Sequence, residues 1–200
     1  MDETTIGAPQ PRVVDAGRGV GWWTDGWALF TKNIGMWMAF TLILLAIFVA
    51  LAFLPLVGML AASLLTPVFM GGWMMAARKL EAGGGLEIGD LFTGFRERLT
   101  PLLVLGALLV GATWVIILAM GLLGFGAGVG MMSGDTPGTA DGMMAAVGAG
   151  MLALLAGLAL SFVVAIAFWF APALVVLKDV PPLDALKASV SASLKNIGPF

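Results

Sequence analysis

The chain contains no cysteine, no histidine and no tyrosine among its 200 residues. Without thiols and imidazoles it can have no disulfide, no thiolate or imidazole metal site, no cysteine nucleophile and no histidine general base. The groups left for catalysis are carboxylates, lysine, arginine, serine and threonine. Paired carboxylates are scarce and lie in loops without metal-ligand spacing. We therefore expect no catalytic, cofactor-binding or metal-binding residues.

Charged side chains are also scarce. They make up 11% of the chain against 60% hydrophobic residues, and the mean hydropathy is +1.03. A soluble fold of this length could not bury so much apolar surface, so this composition predicts that lipid serves as the solvent. The net charge of −2 provides no basic footprint for nucleic acid. The expected partner is the lipid bilayer, and no nucleic acid is expected.

Four apolar runs are long enough to cross a hydrocarbon core about 30 Å thick. They predict an all-α membrane protein with four transmembrane helices and short amphipathic helices on the cytoplasmic surface. Residues 1–20 are expected to be a disordered cytoplasmic N-terminus, and residues 21–200 a single helical membrane domain. The predicted spans cover about residues 34–54, 57–77, 101–125 and 153–177.

Two prolines interrupt the predicted spans. Pro67, followed by Gly71 and Gly72, predicts a kink in the second span, and Pro172 predicts one in the fourth. Such kinks serve either for ordinary packing or to open a path, as broken helices do in transporters. No Asp, Glu, Lys or Arg lies inside a span, which argues against an obvious coupled transporter.

The positive charges predict the topology. The ten Lys and Arg fall in three regions, namely Arg12, Arg18 and Lys32; Arg78, Lys79, Arg96 and Arg98; and Lys178, Lys187 and Lys195. With four spans, all three regions lie on the cytoplasmic side, as the positive-inside rule requires. Splitting the long fourth run, Met143 to Leu177, into two spans would place three lysines outside. We therefore predict four spans with a cytoplasmic N-terminus and an outward start of the fourth run.

The tetrapeptide KNIG occurs at residues 32–35 and again at 195–198, each time after a segment with an apolar stripe. These segments, and the stretch DLFTGFRERL at residues 90–99, predict amphipathic helices that lie on the membrane surface. Each is expected to end in a joint that turns the chain into the membrane. A duplicated unit and independent evolution of similar loops both account for this pattern. Because the second joint precedes Pro199 and Phe200, we expect an N-terminal fragment of a five- or six-span protein.

Small residues recur at every fourth position of the fourth run, which predicts a face for close helix packing, within the chain or between copies. This row consists of Ala145, Ala149, Ala153, Gly157, Ser161 and Ala165. A homodimer through this row is the narrower alternative. Alternate glycines from Gly124 to Gly130 lack the strand and helix context of a binding loop, so a flexible connector is expected there.

The central basic set is the candidate contact with anionic lipid. It consists of Arg78, Lys79, Arg96 and Arg98, interleaved with Trp and Phe residues. Each cation near a membrane surface that carries anionic lipid contributes about 1 kcal/mol to binding. Topology alone also accounts for these charges, so both interpretations stay open.

Three stretches resemble an uncharacterised family of multi-span proteins of the bacterial inner membrane, a domain of unknown function. They are GRGVGWWTDGWALFTKNIGMW, LLTPVFMGGWMMAARKLEAGGGLEIGDLFTGFRERL and FWFAPALVVLKDVPPLDALKAS. The resemblance implies a compact multi-span protein of the cytoplasmic membrane with short cytoplasmic helices. The family is distantly similar to the membrane domains that accompany some glycerophosphodiester phosphodiesterases. It brings no known activity, cofactor or site residue.

The leading hypothesis is a non-enzymatic inner-membrane protein, a scaffold or a module that binds a membrane-protein partner, lipid or a second copy of itself. The alternative is a subunit of a transporter or permease, for which the proline kinks would matter. A membrane enzyme ranks third, because it would need a catalytic group that this chain does not visibly carry.

Overall fold

The computed structural model describes residues 11–15, 17–133 and 139–198. Within these residues the chain is helical, and none of them lies in a strand, which confirms the predicted all-α class. A short 3₁₀ helix, Ile88–Phe92, precedes α4. The α-helices are α1 (Arg18–Lys32), α2 (Ile34–Ala52), α3 (Val57–Glu81), α4 (Thr93–Glu97), α5 (Leu99–Ser133), α6 (Ala140–Trp169), α7 (Ala171–Lys178) and α8 (Pro182–Lys195).

Two of the expectations from the sequence concern residues that the structure does not describe. Of the segment 1–20, predicted to be disordered, residues 1–10 and 16 lie outside the described residues, and α1 begins at Arg18. Pro199 and Phe200, the predicted opening of a further span, also lie outside them. Both expectations therefore stay predictions.

Among the described residues, four helical segments are long and apolar enough to span a membrane, which confirms the predicted number. The candidate spans are Ile34–Ala52, Val57–Glu81, Leu99–Gly126 and Ala140–Lys178. The glycines from Gly124 to Gly128, expected to form a flexible connector, are part of helix α5 instead. In an apolar solvent each backbone N–H and C=O needs a partner within the segment, which outweighs the low helix propensity of glycine.

The chain divides into two compact units. Unit 1 consists of Met1–Leu109 and Ile166–Phe200, and unit 2 of Val110–Ala165. In unit 2, a Cβ added to Gly157 of α6 would overlap the Met120 side chain of α5, so the two helices touch at this point. The described part of unit 1 contains α1 to α4, the beginning of α5, the end of α6, α7 and α8.

Unit 1 has an aromatic core between α2 and α3. The rings of Trp37 and Trp73 stack with their centroids 5.6 Å apart, and Phe40 meets both rings edge to face. Phe69 of α3 contacts Phe95 of α4 with centroids 5.0 Å apart. Such ring pairs contribute about 0.5–1.5 kcal/mol each beyond the apolar area that they bury. The aromatic contacts thus join the first two candidate spans to the short helices that follow α3.

Glycine allows α3 to contact the short helices through backbone atoms. A Cβ on Gly72 would overlap the carbonyl of Leu91, and a Cβ on Gly94 would overlap the carbonyl of Val68. Pro67 lies inside α3, which continues as one helix from Val57 to Glu81. The sequence analysis assigned Gly72 to a kink at Pro67, whereas its visible role is this close approach.

Candidate functional site

A polar cleft of about 570 Å³ lies between the end of α3, the 3₁₀ helix, α4 and the end of α7. Arg78, Lys79 and Arg98, three of the four residues in the predicted lipid-binding set, line it. The fourth, Arg96, is exposed on α4 and is not one of the lining residues. The folding of the α3–α5 connection therefore brings most of this basic set to one place, which we call the charged cleft.

Carboxylates already neutralise two of the cations in the charged cleft. Lys79 Nζ lies 3.0 Å from both carboxylate oxygens of Asp90, and Arg98 forms an ion pair with Asp179. Asp90 Oδ2 also accepts a hydrogen bond of 2.7 Å from the Glu87 N–H, so the same side chain stabilises the start of the 3₁₀ helix. At these partly exposed positions each pair adds at most about 1 kcal/mol to stability.

Arg78 is the exposed cation at the border of two clefts. It lines the charged cleft and a second cavity of about 400 Å³, where Glu81, Leu177 and Lys178 are its neighbours. Within the part of the chain that the structure describes, no ion pair joins Arg78 or Lys178 to a carboxylate. Sequence analysis missed the contribution of Lys178 and Asp179, because only the fold places α7 beside α3.

The fourth candidate span breaks at Phe170, two residues before Pro172. The buried Ser189 hydroxyl of α8 accepts a hydrogen bond of 3.0 Å from the Phe170 N–H and donates one of 2.7 Å to the Ile166 carbonyl. In an uninterrupted helix these two backbone groups would bond to each other. The helix is interrupted here for two reasons. The Ser189 side chain lies between the two turns, and Pro172 has no N–H to donate.

The second KNIG copy holds the N-terminal segment. Asn196 is buried, its Oδ1 accepts a hydrogen bond of 2.7 Å from the Val14 N–H, and its Nδ2 donates one of 3.0 Å to the Arg12 carbonyl. In the first copy the Asn33 side chain instead accepts a hydrogen bond of 3.2 Å from the Met36 N–H and caps α2. The same tetrapeptide therefore performs two different tasks.

Two further cavities of unit 1 adjoin each other at Trp22 and Phe170, which line both. The larger, about 840 Å³, is formed by aromatic and glycine residues of α1 together with Trp169. The smaller, about 410 Å³, has Arg12, Lys178 and Asn196 among its lining residues. We call this pair of cavities the tryptophan groove.

The residues of the predicted small-residue row in α6 differ in how far they are buried. Ala153 and Gly157 are buried, and Ala149 is partly buried. Ala145, Ser161 and Ala165 are exposed in the single chain. The middle of the row thus faces α5 within unit 2, while packing along the whole row stays a prediction.

No metal site is visible in residues 11–15, 17–133 and 139–198, where no group of carboxylates is arranged to hold an ion. The charged cleft combines cations and carboxylates in its lining.

These features define the class of a helical integral membrane protein with one charged unit. Comparison with known proteins agrees: the chain is 31% identical over 202 aligned positions to a protein of Burkholderia thailandensis described as a probable inner membrane protein. The alignment covers 94% of this chain and 71% of that relative, so the chain belongs to its family. No family model matches the chain. No solved structure matches it either.

Proposed function

We propose that the protein is a non-enzymatic module of the bacterial inner membrane that holds a membrane-protein partner in the charged cleft. The distribution of cations carries this proposal. All ten Lys and Arg belong to unit 1, and residues 110–165 contain none. By the positive-inside rule, this distribution favours a cytoplasmic location for the charged cleft and for the N-terminal segment.

The mixed charge of the cleft supports a partner with charges of its own. Arg78 and Glu97 are exposed there, and Thr93 is another polar lining residue. Complementary charges at an interface accelerate association and select the partner more than they add affinity. The internal pairs of Lys79 and Arg98 fix the walls of the cleft, so the exposed groups are already in place before binding.

Anionic lipid and a second copy of the chain have secondary roles in this proposal. Arg78 and Arg96 are exposed and can contact lipid headgroups at the cytoplasmic surface, each contributing about 1 kcal/mol. The exposed part of the small-residue row is the surface through which two copies would associate.

Site-specific photo-crosslinking in cells tests the proposal. A photoreactive residue at Ala82, which is exposed and lines the charged cleft, should give a discrete cross-linked species. One at Lys187, which is exposed on α8 outside the cleft, should not. Arg78→Glu should abolish the species, while Arg96→Glu, a charge reversal outside the cleft, should preserve it.

Three other results of the cross-linking experiment would identify a different partner or contradict the proposal. A cross-linked species of twice the mass of the chain identifies a second copy as the partner. Equal loss with Arg78→Glu and Arg96→Glu would contradict a cleft-specific partner and leave general surface electrostatics as the explanation. Absence of any species at Ala82 would overturn the proposal.

The break at Phe170 favours the second candidate, a transporter or permease subunit. Broken helices form substrate paths in transporters, and here Ser189 holds the break open within unit 1. In this case purified protein in liposomes should catalyse solute flux that falls on Pro172→Ala, with Pro67→Ala as the comparison in an unbroken helix. Our proposal predicts no flux with either variant or with the unaltered protein.

A further inference from the structure

The tryptophan groove combines an aromatic half with a cationic half. Trp22, Trp23, Trp27 and Phe30 line the aromatic half together with Gly19 and Gly26 of the same helix. These positions follow helical spacing, so they share one side of α1. Gly26 has open space where a side chain would lie, and the larger cavity has a volume of about 840 Å³.

The cationic half of the groove has two cations, Arg12 and Lys178, in its lining. Both line the smaller cavity, and among the residues that the structure describes no Asp or Glu lines either cavity. The charged cleft, by contrast, has Asp90, Glu97 and Asp179 in its walls. No ion pair involves Arg12 or Lys178 in the described part of the chain. The groove is therefore electropositive at the end where Asn196 holds the N-terminal segment.

The location of α1 next to the first candidate span indicates that the tryptophan groove lies at the membrane surface. Helix α1 has no buried residue and leads through Asn33 into the first candidate span, so its tryptophans belong at the level of the lipid headgroups. Both cavities have volumes in the range of about 300–1,000 Å³ that is usual for ligand sites. An occupant from the bilayer would meet aromatic rings at one end and two cations at the other.

We propose that the tryptophan groove is a binding site for one anionic phospholipid of the cytoplasmic leaflet. An acyl chain lies among Trp22, Trp27 and Trp169, and the phosphate pairs with Arg12 and Lys178. Asn196 keeps Arg12 in place by holding the backbone at Arg12 and Val14. The site uses none of the four cations first assigned to lipid contact. Of the described residues, Leu177 alone lines both the groove and the charged cleft.

Energy transfer from tryptophan to a fluorescent phospholipid measures this binding on the whole protein in detergent micelles. Fluorescent phosphatidylglycerol should bind in a saturable way, and fluorescent phosphatidylcholine with the same chains should bind much more weakly. Replacing both Arg12 and Lys178 by Gln should weaken phosphatidylglycerol binding about 30-fold, because each interfacial cation contributes about 1 kcal/mol. The matched control, Lys32→Gln with Lys187→Gln, changes two exposed cations that line neither cavity of the groove, and it should leave binding within about two-fold of the unaltered protein.

A steric variant tests the aromatic half separately. A Cβ at Gly26 would meet nothing within 4 Å, so Gly26→Leu extends into the open cavity without displacing the chain and should compete with the acyl chain. Gly21→Leu is the control on the same helix, since Gly21 has equally open space but does not line the groove. Inorganic phosphate alone should not displace the phospholipid at millimolar concentration.

Three outcomes would overturn this inference. They are equal binding of the two phospholipids, equal effects of the Arg12/Lys178 and Lys32/Lys187 double variants, and equal effects of Gly26→Leu and Gly21→Leu. Failure here would leave the partner in the charged cleft untouched, because the cross-linking test rests on Arg78 and Ala82. Conversely, loss of the cross-link with intact lipid binding would remove the proposed function alone.

Discussion

Single residues decide what the repeated KNIG tetrapeptide does. Asn33 lies between two helices and caps the second, whereas Asn196 lies at the end of α8 and bonds to a segment from the other end of the chain. Sequence reasoning correctly placed both copies at the ends of amphipathic helices. It could not assign the Asn196 contact, because the partner atoms are backbone groups of Arg12 and Val14 and have no sequence signal of their own.

Replacing each asparagine should separate the two tasks. Asn196→Ala removes two hydrogen bonds that hold residues 12–14, so local opening and tryptic cleavage after Arg12 should accelerate about ten-fold. Asn33→Ala removes the cap of α2 and should cost about 1 kcal/mol of stability without changing cleavage at Arg12. The measurement is the rate of limited proteolysis in detergent, and equal rates for the two variants would refute the distinction.

The presence and type of the helices could be predicted from the sequence more reliably than the residues at which they end or break. Long apolar runs predicted the four candidate spans, and Pro172 predicted the interruption near Phe170. Ser189 was not predicted, because a serine beside Ser191 and Ser193 on an amphipathic helix gives no sign that its hydroxyl inserts into another helix. The extension of α5 through Gly124 and Gly126 was missed because glycine indicates a loop in water but not in lipid.

Substitution of Ser189 should show how much the helix break depends on its hydroxyl. Ser189→Ala removes two buried hydrogen bonds and should lower the free energy of unfolding by about 1–3 kcal/mol. Ser191→Ala, on the same helix at a partly buried position, should change it by less than about 0.5 kcal/mol. Unfolding in detergent, followed by circular dichroism, gives both values. A similar small effect of the two variants would show that Pro172 alone maintains the break.

For the whole molecule, the division of charge between the two units is the main result. Three regions that are far apart in sequence bring all ten cations into unit 1. Charge counting alone predicted that the three regions lie on one side of the membrane. It could not predict that Lys79 pairs with Asp90 and Arg98 with Asp179, since those pairs depend on where α3, α4 and α7 pack. The sequence thus indicated a charged surface, whereas only the fold determines which cations pair with carboxylates of the same chain and which are exposed.

The absence of native cysteine makes this topology directly measurable. Single cysteines at Gly85, in the loop after α3, and at Ala140, at the start of α6, occupy exposed positions in regions assigned to opposite sides. In intact spheroplasts a membrane-impermeant maleimide should label the Ala140→Cys variant and leave Gly85→Cys unlabelled until the membrane is permeabilised. Labelling of Gly85→Cys in intact spheroplasts, with protection of Ala140→Cys, would place the charged cleft outside the cytoplasm and contradict the account.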